Sequence, residues 1–174
     1  MRLHPKLMLN EKLDYIAEGE TLEEQVNRTK EVAQIDSSFA PLMRMAVLET
    51  EKIDGLPYGM PDTYKPETDI PAGISYSTVR QEFRRLKNFQ INGKMQNHAP
   101  HVRETKWLQM CEGLHWKEAN ILIAIKDGEF LQHYPNMRNV LTELGATITF
   151  ENKPKKKSTR KPRKKATPEK ESDE

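Results

Sequence analysis

The sequence predicts a small all-α domain followed by a basic, disordered C-terminal tail. Several segments repeat apolar residues three and four positions apart, which is the spacing of amphipathic helices. The densest apolar run, ILIAI at residues 121–125, shows no alternation with polar residues, which favours a buried helix. From Asn152 onward a single alanine is the only apolar residue, so that segment cannot bury enough surface to offset its ordering entropy. We expect an irregular domain of about six helices in residues 1–150 and a disordered Lys/Arg/Pro-rich tail in residues 151–174.

Composition limits the possible protein classes. A length of 174 residues suggests one domain, and 36% hydrophobic with 31% charged residues predicts a modest core. There is no run of about 20 apolar residues, so we expect no membrane span. Charges throughout the N-terminal segment argue against a secretory signal. The single Cys111 excludes an internal disulfide framework and favours a reducing, cytoplasmic setting.

The first fifty residues contain three short helical patterns. Asn10 is the predicted cap of the first helix. Thr21 and Glu24 match the Thr-x-x-Glu pattern of a capping box and begin the second. Ser37 or Ser38 caps the third. The inner faces of the second and third helices are formed by Leu22, Val26, Thr29, Ala33, Leu42, Met45, Ala46 and Leu48.

Residues 51–76 form a proline-rich strap, in which proline recurs every four or five positions. Proline removes an amide donor and forces its predecessor into extended geometry, so neither a regular helix nor a central strand is expected. A connection this long is either functional or packed across the core. We expect an ordered strap packed on the core. The prolines are Pro57, Pro61, Pro66 and Pro71.

Ser77 or Thr78 caps the next predicted helix, which presents two different faces. Its inner face is formed by Val79, Phe83 and Leu86. Its outer face carries Arg80, Arg84 and Lys87 at positions i, i+4 and i+7. Arginine at such positions pairs with phosphates bidentately, and ordinary salt bridges with the acidic N-terminal half are the alternative.

Both tryptophans lie in residues 107–128. A helix over 102–113 is predicted to stop at Gly113. Residues 116–126 favour a second, buried helix, and a β-hairpin with Lys126-Asp127-Gly128 as its turn is the alternative. A last helix is expected after Pro135, up to Gly145. Residues 146–150 (ATITF) are β-prone, but a lone strand cannot stabilise itself.

The run Leu114-His115-Trp116-Lys117-Glu118-Ala119 is followed by an aliphatic run and Lys126-Asp127. It resembles the signature of an uncharacterised protein family of T4-like phages, chiefly cyanophages, although Trp116 stands where the family has proline. The resemblance spans roughly residues 38–130. It implies a phage origin and a helical fold, but no reaction. The other similar pieces are Leu42-Met43-Arg44, Leu56-Pro57-Tyr58 through Tyr64-Lys65-Pro66, and Ser77 through Arg85-Leu86 and Phe89.

No catalytic or metal-binding constellation is predicted. His98 and His101 have a ligand-like HxxH spacing, but structural zinc takes four ligands and one cysteine is present. Cys111 and His115 are four residues apart, yet Gly113 interrupts that helix and a buried structural cysteine is the commoner case. There is no glycine-rich phosphate loop or serine elbow. We expect no enzyme activity, no cofactor and no metal.

The strongest chemical signal is the tail. Nine of the thirteen residues 153–165 are basic and none is acidic, whereas residues 1–150 carry a net charge of −3. Such a run binds phosphate backbones with little sequence preference, so we expect non-specific binding of nucleic acid, most simply DNA. A purely solubilising tail is the alternative. The predicted contacts are Lys153, Lys155, Lys156, Lys157, Arg160, Lys161, Arg163, Lys164 and Lys165, with Arg80 and Arg84 on the body.

Together these features predict a phage-encoded, non-enzymatic accessory protein. It binds nucleic acid through the tail and a phage or host protein through the helical body. The role fits replication, transcription or host takeover in the host cytoplasm. The alternative is a virion structural or assembly factor.

Overall fold

The computed structural model describes residues 3–4 and 6–152 of this chain. The basic tail from residue 153 onward lies outside the described residues, and its disorder stays a prediction.

The predicted all-α class is confirmed. Within residues 3–4 and 6–152 the regular structure consists of α-helices and two 3₁₀ helices, Lys87–Phe89 and Lys94–Asn97, with no β-strand. Isolated β-bridges join Ile53 to Gln90 and Ser77 to Leu114. The α-helices are α1 Leu9–Ala17, α2 Leu22–Ile35, α3 Phe39–Val47, α4 Val79–Leu86, α5 Pro100–Gly113, α6 Trp116–Asp127, α7 Phe130–His133 and α8 Asn136–Glu143.

Helix α6 lies at the centre of the core. Ala119, Leu122 and Ile125 have no exposed surface, and α6 packs against α1, α3, α5 and α7. This central position explains why its sequence is apolar on nearly every side. The alternative β-hairpin is wrong, because Trp116–Asp127 is one continuous α-helix, which ends at Gly128 in a left-handed conformation (φ 74°).

Of the two predicted N-terminal caps at Thr21 and Asn10, the structure has the first and lacks the second. The Thr21 hydroxyl accepts a hydrogen bond from the Glu24 amide (3.2 Å), as the capping-box pattern predicts. Asn10 is not a cap, because α1 begins one residue before it. The Met8 amide donates instead to the Glu11 carboxylate (2.7 Å), which lies three residues ahead and reaches back to the helix start.

The strap is irregular and packs on the core through a few apolar side chains. Ile53 is buried, while Leu56, Met60 and Tyr64 are partly buried against the core. The strap joins α3 to α4 without regular structure of its own, as its proline spacing predicts.

The β-prone segment 146–150 forms no sheet, and uses helix ends as its partners. The amides of Thr149 and Phe150 both donate to the Val47 carbonyl (2.8 and 2.9 Å), and the Asn152 amide donates to the Gly128 carbonyl (2.9 Å). Carbonyls at helix C-termini have no partner within the helix, so they are available to an extended segment that has no neighbouring strand.

Candidate functional site

Glu118 on α6 joins two other helices. Its carboxylate is buried and accepts hydrogen bonds from the amides of Leu9 (2.8 Å) and Val79 (3.2 Å). These residues begin α1 and α4, where helix amides have no partner within the helix and the helix dipole favours negative charge. Burial raises the pKa of Glu118, although the two amides and the charge of Lys12 act in the opposite direction.

His115, the residue before α6, holds the strap at the same helix end. Its Nδ1 accepts a hydrogen bond from the Lys117 amide (3.3 Å), so Nε2 carries the proton and donates it to the Ile70 carbonyl (3.0 Å). Both ring nitrogens are thereby occupied.

Lys126 and Asp127 fasten the strap near the opposite end of α6. The buried Lys126 ammonium donates to the Pro57 carbonyl (2.6 Å) and pairs with the Asp127 carboxylate. The second oxygen of that carboxylate accepts from the Gly59 amide (3.0 Å). Glu118, His115, Lys126 and Asp127 therefore hold the strap and the helix ends in place.

Between these two fastenings the strap borders an open groove of about 1000 Å³, which we call the strap groove. The junction of α5 and α6 forms one side of it, with Leu114 and Trp116. Ile74 and Tyr76, at the C-terminal end of the strap, are 65% and 97% exposed. Glu67, Asp69 and Glu112 line it as exposed carboxylates, against one lysine, Lys65.

Cys111 also lines the strap groove but is not a nucleophile in this state. Burial raises the pKa of its thiol to about 12, and a neutral thiol at physiological pH is unreactive. The nearby Tyr64 hydroxyl also has a pKa raised to about 12, mainly by burial and also by the Glu112 charge. The imidazole of His115 is committed to Lys117 and Ile70, so it does not serve Cys111 as a base.

A second buried polar cluster lies where α2 meets α3. Lys12 and Asp36 form an ion pair of 2.6 Å whose side chains are 3% and 4% exposed. Asp36 also accepts from the Ser38 amide (3.0 Å) and hydroxyl (2.6 Å). Burial by itself raises the pKa of Asp36, but the hydrogen bonds from Lys12 and Ser38, with the Lys12 charge, bring it below its usual value.

The two body arginines predicted to contact nucleic acid, Arg80 and Arg84, have different surroundings. Arg80 is half exposed, and its Nε lies 3.9 Å from Asp36, which is the salt-bridge alternative for that residue. Arg84 is exposed on α4. The nine predicted tail contacts lie outside the described residues, so the structure does not bring the two sets together.

The two histidines with ligand-like spacing lie at the start of α5. His98 and His101 are both exposed. Over residues 3–4 and 6–152 no group of three or more His, Cys, Asp or Glu side chains is placed to hold a metal ion. No helix in that part of the chain is long and apolar enough to cross a membrane.

Sequence reasoning missed the residues that shape the site. Glu118 and Lys126 are charged positions at either end of an apolar run, which was a usable signal for buried, partnered side chains. Ile74 and Tyr76 gave a weaker signal, as apolar residues at the end of the proline-rich strap.

Comparison of this chain with models of protein families, with curated proteins and with solved structures finds no match. The resemblance to the phage family stays a prediction.

Proposed function

We propose that this chain is a phage-encoded, non-enzymatic accessory protein of replication, transcription or host takeover. It binds nucleic acid through its basic tail and a phage or host protein through its helical body. One observation carries the proposal. Residues 153–165 hold nine basic and no acidic side chains, next to a body with a net charge of −3.

The ion pairs of the body support the assignment of nucleic-acid binding to the tail. Eight lysines and arginines of the described body face a carboxylate, which reduces the positive charge that the body offers to phosphate. The cations in such pairs are Lys12, Arg28, Arg44, Lys52, Arg80, Arg85, Lys126 and Arg138.

The tail begins at a fixed point of the body. Glu151 pairs with Arg138, and the Asn152 carbonyl accepts from the Gln132 side chain. The Asn152 amide is bound to Gly128 at the end of α6. Thirteen residues of extended, proline-containing chain beyond this point span ~40 Å. That length allows many lysines and arginines to follow one phosphate backbone.

Exposed apolar groups on the body support a protein partner. Outside the strap groove, Tyr58 is 70% exposed, and Leu22 and Leu144 are 42% and 39% exposed. Aromatic side chains are enriched where proteins contact one another.

Fluorescence anisotropy of a labelled DNA duplex, titrated at several salt concentrations, tests the tail's role. We expect full-length protein to bind with an affinity that falls steeply with salt, with a log–log slope of about −0.9 per phosphate neutralised. A chain ending at Asn152 should lose this binding. The same titration with single-stranded RNA distinguishes the class of nucleic acid.

A chain ending at Lys165 is the matched control, because it loses residues without losing the basic run. It also removes Glu169, Glu171, Asp173 and Glu174, so it should bind at least as tightly as the full-length protein. Equal, weak binding by the full-length chain and the chain ending at Asn152 would contradict the proposal.

A further inference from the structure

We propose that the basic tail of this chain, residues 153–165, docks in the strap groove of the same molecule when no nucleic acid is bound. In this state the tail occupies the groove, and nucleic acid must compete with the groove to bind the tail. The docking stands on the groove and the tail themselves; its effect on nucleic-acid binding rests on the proposed function.

The first argument is charge complementarity. Glu67, Asp69 and Glu112 are exposed along the strap groove. None of the ion pairs found between described residues engages these three carboxylates. The tail supplies nine positive charges within thirteen residues. Several weak charge contacts in one groove act as a network rather than as isolated pairs.

The second argument is the apolar surface of the groove. Tyr76 is 97% and Ile74 is 65% exposed, both beside the carboxylates. Tyrosine faces accept ammonium groups by cation–π attraction, and lysine stems pack on apolar surface while their charged ends stay in water. Proline-containing extended segments bind aromatic-lined grooves. Pro154 and Pro162 give the tail that character.

The third argument is reach. The tail starts beside Gly128, just beyond the C-terminal end of α6. Trp116, the first residue of α6, lines the strap groove. The helix between them has 12 residues and spans about 18 Å. Thirteen extended residues span ~40 Å, so the tail reaches the groove without leaving its own molecule.

Paramagnetic NMR on the full chain tests the docking without nucleic acid. A nitroxide is attached to S158C, and the buried Cys111 thiol, whose pKa is raised to about 12, is not expected to react. At low salt we expect selective broadening of the Ile74 and Tyr76 amide signals. The broadening should disappear at high salt and in the triple variant E67Q/D69N/E112Q. Broadening spread evenly over the surface, or none at the groove, would overturn the docking.

The competition is tested by DNA anisotropy with the same triple variant. If the tail is docked in ~90% of molecules, releasing it raises the apparent affinity ~10-fold. The matched control is E20Q/E23Q/E143Q, which removes three exposed carboxylates that do not line the strap groove. Both triple variants lose the same amount of negative charge. Only a difference between their DNA affinities is therefore evidence for docking in the groove.

The outcomes separate the two proposals. Groove broadening with tighter DNA binding by the groove variant supports both. Groove broadening without DNA binding by any variant retains the docking and rejects the proposed function. Equal affinity of the two triple variants, with DNA binding intact, rejects the competition.

Discussion

Two carboxylates, Asp36 and Glu118, are both buried but are stabilised by different kinds of partner. Asp36 faces the Lys12 ammonium and the Ser38 hydroxyl, and its pKa lies below the usual value. Glu118 accepts hydrogen bonds from two backbone amides, and its pKa is raised. Burial destabilises the charged form of both carboxylates, so the bonding partners decide whether the pKa ends above or below its usual value. At Asp36 the nearby Lys12 charge and the hydrogen bonds lower the pKa more than burial raises it. At Glu118 the two amides and the more remote Lys12 charge lower the pKa less than burial raises it.

Breaking the Lys12–Asp36 pair should have the largest effect. K12M removes the ammonium that pairs with Asp36 at 2.6 Å and leaves the more distant Arg80, whose Nε lies 3.9 Å away. We expect the free energy of unfolding to fall by ~3 kcal/mol at pH 7. Urea denaturation measures this loss. The double variant K12M/D36L removes both charges and should recover part of it, because the Ser38 amide and hydroxyl then lack their acceptor.

An exposed pair provides the matched control for that experiment. K52M removes the cation of the Lys52–Glu49 pair, in which the glutamate is half exposed, and should cost ~0–1 kcal/mol. If K12M costs no more than K52M, the buried pair does not carry the stability assigned to it.

Replacing Glu118 by glutamine should have an intermediate effect. The glutamine side chain keeps one acceptor oxygen, but its NH₂ group then faces the second backbone amide. Either Leu9 of α1 or Val79 of α4 therefore loses its hydrogen bond to residue 118. We expect a loss of ~1–3 kcal/mol, measured by urea denaturation, with faster hydrogen exchange at Leu9 or Val79. E112Q, an exposed change on α5, should stay within ~0.5 kcal/mol. Unchanged exchange at both amides would argue against the double cap.

The pH dependence should separate the two carboxylates by sign. Asp36 contributes stability above its usual value of 3.8, which is lost as pH falls through its lower folded pKa. Glu118 contributes most below its usual value of 4.5, and this is lost as pH rises through its higher folded pKa. Each unit of difference corresponds to ~1.4 kcal/mol.

Urea denaturation from pH 3 to 7 measures both effects. Relative to the native chain, D36N should lose less stability on acidification below about pH 3.8. E118Q should lose less stability as pH rises above 4.5. Parallel profiles for the native chain and both variants would show that neither carboxylate shifts its pKa on folding.

Short-range signals account for the parts of the fold that were predicted well. The Thr21–Glu24 capping bond joins residues three apart, and the apolar run of α6 follows from helix periodicity. Proline spacing predicts the strap, because each proline acts on its own residue and its predecessor. The short helix α7 was missed, since four residues give too little periodicity to detect.

The candidate site follows a different rule, because its contacts join distant parts of the chain. Sequence placed Glu118 inside an apolar helix, but Leu9 and Val79 are 109 and 39 residues away from it. His115 meets Ile70 across 45 residues, so its role as a strap fastening was invisible locally.

The sequence by itself determined the helices, the irregular strap and the separation of charge between body and tail, because propensity, proline geometry and composition act within a few residues. Tertiary structure alone decided which helix ends Glu118 caps, where the strap is fastened and that Ile74 and Tyr76 remain exposed beside three carboxylates. Those outcomes depend on which distant backbone groups packing brings within hydrogen-bond distance of a buried side chain.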